Sequence, residues 1–210
     1  MSNILNEPKK RRIGLMGGTF DPIHHGHLVA AEEARCQFGM EKVIFIPTGK
    51  PPHKTGRDIS PPEHRLEMTE KAVSSNPYFT ISDLEIQREG LSYTIDTVRA
   101  MKELYAGWEM FFITGSDAVL EILAWKNVDG LLKECFFVAA TRPGFQLGSV
   151  SHKLGHLPEG SLAKIKTIEV PALAISSTDI RNRVRQGRPI KYLLPEAVEK
   201  FIYQNNLYQS

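Results

Sequence analysis

Short apolar runs alternate along this chain with stretches in which apolar residues recur at helical spacing. Ile13-Gly-Leu-Met16 is one such run, closed by Gly17-Gly18 and a polar turn, and a helical pattern follows from about His27 to Phe38. Val43-Ile-Phe-Ile46, ended by Pro47, repeats the signature of a strand buried on both faces. Pro61-Pro62 then opens a helix expected to carry Leu66, Thr69 and Val73 on one face. Phe79 to Ile86 reads as a strand, Ser92 to Tyr105 as a helix with Thr94 a candidate cap, and Met110-Phe-Phe-Ile113 as a strand. Gly115 turns the chain into a helix that includes Val119, Leu120 and Leu123. Cys135 to Ala139 and Lys166 to Val170 read as strands, and Ser177 or Thr178 to Gln186 and Pro195 to Asn205 as helices. This alternation predicts a mostly parallel sheet covered on both faces, an α/β architecture in which ligands gather at the carboxyl ends of strands.

A chain of 210 residues suits one such domain better than two. With 41% apolar and 24% charged residues, it is neither a wholly disordered nor a fibrous chain. A formal net charge of +2 provides no global field for nucleic acid or an anionic membrane, so any anion site must be local. Cys36 and Cys135 match neither a disulfide framework nor a paired metal-ligand spacing, which fits a reducing cytoplasm. Met1 to Arg12 lacks the apolar stretch of a signal peptide, and no later segment approaches the roughly 20 apolar residues of a membrane span. The basic run Lys9 to Arg12 reads as solvated, so residues 1–11 are expected to be a flexible leader before a domain over 12–207. Thr48 to Ser60, rich in Pro, Gly, Lys and His, reads as a mobile functional loop.

The densest chemistry lies in Gly17-Gly18-Thr19-Phe20-Asp21-Pro22-Ile23-His24-His25-Gly26-His27, where the first strand feeds the first helix. Two glycines allow backbone to approach an anion, and a helix start supplies unpaired N–H groups and the positive end of the dipole. His24 and His27, three apart, can aim both rings at one bound group, and Gly26 between them would leave room for a phosphate chain. The stretch lacks the Gly-Lys-Ser/Thr ending of a P-loop and the G-x-G-x-x-G of dinucleotide folds. A zinc site on His24, His27 and His53 lacks a completing Cys, Asp or Glu at a typical spacing, so no protein-held metal is expected.

A second candidate is Ile175-Ser176-Ser177-Thr178-Asp179-Ile180-Arg181, again at a helix start. Ser176 and Asp179 have capping-box spacing, which by itself describes only a capped helix. Arg181 in the first turn opposes the helix dipole unless an anion is present, and its planar fork suits a phosphate.

Together the two stretches resemble the paired signature of the nucleotidyltransferase superfamily, in which an H-x-G-H element and a distal I-S-S-T-x-I-R element enclose ATP phosphates. Within it, the chain from about Arg12 to Leu207 resembles the bacterial nicotinate mononucleotide adenylyltransferase family. The further landmarks are Pro47-Thr-Gly-Lys-Pro-Pro-His-Lys54, Ser92-Tyr-Thr-Ile-Asp-Thr97, and Gly115-Ser-Asp117 with Trp125 following. Ser116 stands where that family often has Ala, a change that leaves the Asp117 carboxylate untouched.

The resemblance implies a Rossmann-like single domain with a helical carboxyl-terminal part. It implies transfer of AMP from ATP to nicotinate mononucleotide, giving nicotinate adenine dinucleotide and pyrophosphate by direct attack, with no enzyme nucleophile. Mg²⁺ would be carried mainly by the ATP phosphates. Gly17, Gly18, Thr19 and Phe20 would approach the triphosphate, and His24 and His27 would hold the transferred phosphoryl group. Lys50 and His53 would close over the triphosphate, while Ser176, Ser177, Thr178 and Arg181 would hold the departing phosphates. His24, His27, Lys50 and Arg181 would thus be the catalytic set, with Asp117 at the adenosine ribose and Thr94 and Trp125 at the nicotinate ring. No nucleic-acid or membrane partner is implied, and a homo-oligomer is left open. The alternatives are another phosphorylated acceptor, such as phosphopantetheine or nicotinamide mononucleotide, or a nucleotide-sensing or RNA-binding module without turnover.

Overall fold

Successive residues of the central strands face opposite sides of one sheet, and both sides are buried. This is why their sequences run apolar without interruption. In the computed structural model, which describes residues 10–52, 59–115, 127–141, 160–171 and 173–209, six strands form a single sheet in the order β3-β2-β1-β4-β5-β6. They are β1 (Arg12–Gly18), β2 (Lys42–Pro47), β3 (Phe79–Ile81), β4 (Glu109–Gly115), β5 (Phe136–Thr141) and β6 (Ile165–Glu169). Every pairing is parallel, with Leu15 of β1 aligned to Ile44 on one side and Phe112 on the other. Strand order reverses direction between β1 and β4, and such a switch point opens a crevice at the carboxyl ends of the strands.

One face of the sheet presents Val43, Phe45, Phe111, Ile113, Val138 and Ala140 to α1 (His25–Phe38), α2 (Pro62–Val73) and two later helices. The other presents Ile13, Leu15, Ile44, Ile46, Phe112 and Phe137 to α4 (Thr94–Leu104) and α5 (Val128–Glu134). Between β3 and α4 lies the single turn α3 (Leu84–Gln87). The chain ends in α6 (Ser177–Arg185) and α7 (Glu196–Gln204), and α7 packs on α2 with Phe201 edge-on to His64.

Three expectations are corrected. The strand expected over Phe79 to Ile86 stops at Ile81, because Leu84 to Gln87 coil into α3 and bury the Glu85 side chain. On α2 Thr69 and Val73 are buried as expected and Leu66 is only half-buried; the stripe Arg65, Met68, Thr69 and Ala72 has the i, i+3, i+4, i+7 spacing of a core face, but it begins on an arginine. Thr94 is the first residue of α4 and does not cap it; Tyr93 occupies the cap position and its side chain makes no capping bond. The helix expected after Gly115 lies outside the described residues.

Candidate active site

The carboxyl ends of β1, β4 and β5 and the amino end of α1 enclose a cleft of about 260 Å³. Met16, His24, Gly26, His27, Gly115 and Ala140 contribute to its walls, and Ile175 reaches it from the segment before α6. The cleft therefore sits at the β1/β4 switch point.

His24 is the N-cap residue of α1 and is 7% exposed. Its ring stacks on His27, with centroids 3.8 Å apart, and Phe20 meets His27 edge-on at 5.2 Å. The His24 N–H donates to His27 Nδ1 at 3.2 Å, so a neutral His27 carries its proton on Nε2 and is a donor there. Burial, helped by neighbouring His25, pushes the His24 imidazole from 6.5 down to about 4. His24 is thus neutral at physiological pH, and its buried Nδ1 has no hydrogen-bond partner among the described residues. At the start of α1 the His25 N–H is taken by the Leu193 carbonyl and that of His27 by the His24 carbonyl. Gly26 lines the cleft, and among the described residues its amide is left without a backbone partner.

The glycines here answer first to their own neighbours. A Cβ on Gly26 would lie 3.0 Å from the His24 ring, so its small size makes room for that imidazole at the wall of the cleft. A Cβ on Gly17 would meet Phe112 at 2.9 Å, and one on Gly18 would meet Phe20 at 2.8 Å. Phe20 has a left-handed backbone (φ 49) and is buried.

The two motifs meet directly. Arg181 Nη1 donates to the Asp21 carbonyl at 2.6 Å across a separation of 160 residues, and its Nη2 reaches Thr178 Oγ1 at 3.3 Å. Ser177 Oγ donates to the Pro22 carbonyl at 2.8 Å, which gives this hydroxyl a structural partner in the first motif. Ser176 caps α6 by accepting from the Asp179 N–H at 3.1 Å, while the Asp179 carboxylate pairs with Arg183 and does not complete a capping box.

Three residues given no role in the sequence reading hold this site together. Asp21, 5% exposed, accepts from Tyr208 Oη at 2.6 Å and from the Ser60 N–H at 3.3 Å. Burial and the nearby Asp21 charge hold the Tyr208 phenol above its ordinary range, so it stays a donor. Arg65, 1% exposed, donates to the carbonyls of Thr19 (2.9 Å), Thr48 (2.6 Å), Gly49 (3.1 Å) and Ser60 (3.0 Å). An arginine inside an apolar stripe was the available signal for this one. A hydrogen bond from the last turn of the chain, as for Tyr208, has no signature in sequence.

Lys50 is exposed, and its backbone is tied to the segment before α4: its N–H donates to Ser92 Oγ at 3.3 Å and its carbonyl accepts from the Ser92 N–H at 2.9 Å. A side chain on Gly49 would collide with the Glu85 carbonyl. The Glu85 carboxyl, raised above its ordinary range by burial, accepts from Thr97 Oγ1 at 2.7 Å. At the start of α4 the N–H groups of Asp96 and Thr97 turn back to the Tyr93 carbonyl, which leaves those of Thr94 and Ile95 without a backbone partner among the described residues. His53, Asp117 and Trp125 lie outside the described residues. No group of three or more His, Cys, Asp or Glu among the described residues is set to hold a metal.

The family model described as cytidylyltransferase-like matches residues 15–183. A chain named "Probable nicotinate-nucleotide adenylyltransferase" from Moorella thermoacetica is 56% identical over 208 residues, covering 99% of this chain and 95% of its own length. One of the same name from Desulfitobacterium hafniense (strain Y51) is 53% identical over 205 residues, covering 98% and 99%. Among solved structures, Plasmodium falciparum nicotinic acid mononucleotide adenylyltransferase complexed with NaAD matches with a TM-score of 0.74 and 21% identity. That match covers 94% of this chain and 97% of the other, and at this identity it speaks for the fold.

The depressed His24 pKa has a consequence for stability. The unfolded chain binds a proton near 6.5 and the folded one near 4, so the His24 contribution is complete above pH 6.5 and is lost as pH falls towards 4. Its full extent is about 3 kcal/mol. Denaturant titrations of the ligand-free protein from pH 7 to 5 should show stability falling, and His24→Gln should flatten the slope. An unchanged slope in His24→Gln would remove His24 as its source.

Proposed function

The chain belongs to the cytidylyltransferase-like family and, within it, to the nicotinate-nucleotide adenylyltransferases, and from that premise we propose how its residues carry out the reaction. The enzyme transfers AMP from ATP to nicotinate mononucleotide, forming nicotinate adenine dinucleotide and pyrophosphate in NAD biosynthesis. One observation supports the assignment of roles above the others. The stacked His24 and His27 line the cleft, and Arg181 and Ser177 of the distal motif bind the carbonyls of Asp21 and Pro22, just ahead of His24 in the first motif.

The triphosphate lies across the amino end of α1, with the adenosine towards the β4 end and Asp117 at its ribose. The acceptor's phosphate oxygen attacks the α-phosphorus as the bond to the pyrophosphate oxygen breaks. The α-phosphoryl oxygens receive hydrogen bonds from His27 Nε2 and the Gly26 amide. His24, kept neutral by burial, offers a hydrogen bond and no net charge. Positive charge comes from Lys50 and Arg181, which with His53, Ser176 and Thr178 follow the leaving pyrophosphate. No side chain needs to form a covalent intermediate, since alignment and charge stabilisation supply the catalysis.

Mg²⁺ enters with ATP. The described walls of the cleft carry no carboxylate and the Asp21 carboxylate is engaged by Tyr208 and Ser60, which suits a cation held by phosphate oxygens and water. When bound, it neutralises charge on the triphosphate and on the departing pyrophosphate. At the acceptor end, Trp125 stacks on the pyridine ring, and the amides at the start of α4 near Thr94 receive its carboxylate.

Incubation with MgATP and each candidate acceptor, followed by mass analysis, should yield nicotinate adenine dinucleotide from nicotinate mononucleotide and little product from phosphopantetheine. ATP binding without pyrophosphate release for any acceptor would revive the sensing module. His27→Ala should fold and lose roughly two to three orders of magnitude in kcat, and a near-normal kcat in a folded variant would remove His27 from the transition state. Nicotinamide mononucleotide keeps the shape of the acceptor but forfeits two charge-assisted hydrogen bonds, so its kcat/KM should be roughly two to four orders of magnitude lower. Equal efficiencies for acid and amide would refute carboxylate recognition at α4.

A further inference from the structure

We propose that Arg65 is a positioning residue for adenylyl transfer, setting the distance between the Thr19 loop and the Lys50 loop so that Lys50 closes over a triphosphate held at the start of α1. The inference rests on the reading of Lys50 as a triphosphate ligand.

Arg65 is among the largest fully buried side chains of the protein, yet it forms no ion pair among the described residues. Among the described residues its guanidinium donates only to main-chain carbonyls, one on the loop after β1 and the others at the two ends of the loop between β2 and α2. Thr19 precedes Phe20 and Asp21 in the first motif, Thr48 and Gly49 precede Lys50, and Ser60 lies where the segment opened by Lys50 returns to α2. Burying a cation without a carboxylate partner is costly, and an apolar side chain would serve helix packing better at this place in the stripe. What the guanidinium supplies is a rigid planar fork whose donors leave in several fixed directions and can hold four carbonyls at once.

The loops it joins are themselves under constraint. Ser60, whose carbonyl binds Arg65, sends its N–H to Asp21 Oδ2, and the Asp21 carbonyl holds Arg181, so the cation and both phosphate motifs form one connected circuit. On the far side, Gly49 is pressed against the Glu85 backbone and Lys50 is tied to Ser92. The Lys50 backbone is therefore clamped from two directions, and Arg65 is the clamp that faces the phosphate motifs. A Lys at position 65 keeps the charge but radiates its donors from one point and cannot span the same carbonyls.

The test combines Arg65→Lys, Arg65→Met and Lys50→Ala, with thermal unfolding and with kcat and KM for both substrates. Arg65→Lys should remain folded and lose about 10- to 100-fold in kcat, as expected for a misalignment near 1 Å, while KM for nicotinate mononucleotide changes less than about threefold. Arg65→Met should be similarly slow whatever its melting temperature. In a Lys50→Ala background, Arg65→Lys should add less than about threefold, because the loop it positions no longer carries the ammonium. Wild-type kcat in Arg65→Lys, or a full multiplicative loss on top of Lys50→Ala, would overturn the proposal, as would failure of both Arg65 variants to fold, which would assign the residue to stability alone. Lys50→Ala with wild-type turnover would instead overturn the triphosphate role of Lys50, and the present inference with it.

Discussion

Asp21 is the point on which the site depends. Its carboxylate is bound by the hydroxyl of Tyr208 and the amide of Ser60, and its carbonyl by the guanidinium of Arg181. One residue in the turn after β1 thereby draws together Tyr208 near the end of the chain, the segment leading into α2, and α6. The turn is buried, so each of these polar groups would be costly to leave unpaired, and the interactions specify a geometry as well as contribute stability. The parallel sheet supplies the crevice beside this turn. The Asp21 circuit determines which side chains stand around it.

The chemistry of the cleft follows from burial and from helix ends more than from formal charge. The stacked histidines lie where α1 begins, His24 is neutral through desolvation, and His27 is oriented by accepting a backbone N–H. These are preorganised donors, which act on developing charge without reorganising at the moment of transfer. The positive charge proposed for the leaving group is kept outside the buried layer, on the exposed Lys50 and the half-buried Arg181. A triphosphate whose charge changes little until the bond breaks is suited to this division, in which neutral donors hold the reacting phosphorus and cations take the leaving group.

Much of this was legible in the chain. The alternation of uninterrupted apolar runs with helical spacing indicates a parallel sheet, because strands covered on both faces have no polar side to show. The two motifs could be paired from their resemblance to a known signature, and they do meet, through Arg181 on Asp21 and Ser177 on Pro22. What stayed hidden depends on contacts between distant segments. Arg65 sits in an apolar stripe, but only the fold shows the carbonyls that justify it. Tyr208 acts from the end of the chain through one hydroxyl. Phe79 to Ile86 looks like a continuous strand because its apolar spacing does not reveal that Glu85 is buried against Thr97 and must leave the sheet. Spacing alone also does not show that the small size of Gly26, which lines the cleft, makes room for the ring of His24.

The claim underlying all of this is that the site aligns and stabilises a single displacement and supplies no nucleophile. The stereochemical course at phosphorus tests it most directly. With ATP made chiral at the α-phosphorus by sulfur and isotopic oxygen, one in-line attack by nicotinate mononucleotide must invert the configuration in the dinucleotide product. Inversion is the predicted result. Retention would require two displacements through a covalent adenylyl-enzyme, and would contradict a mechanism built on positioned donors alone.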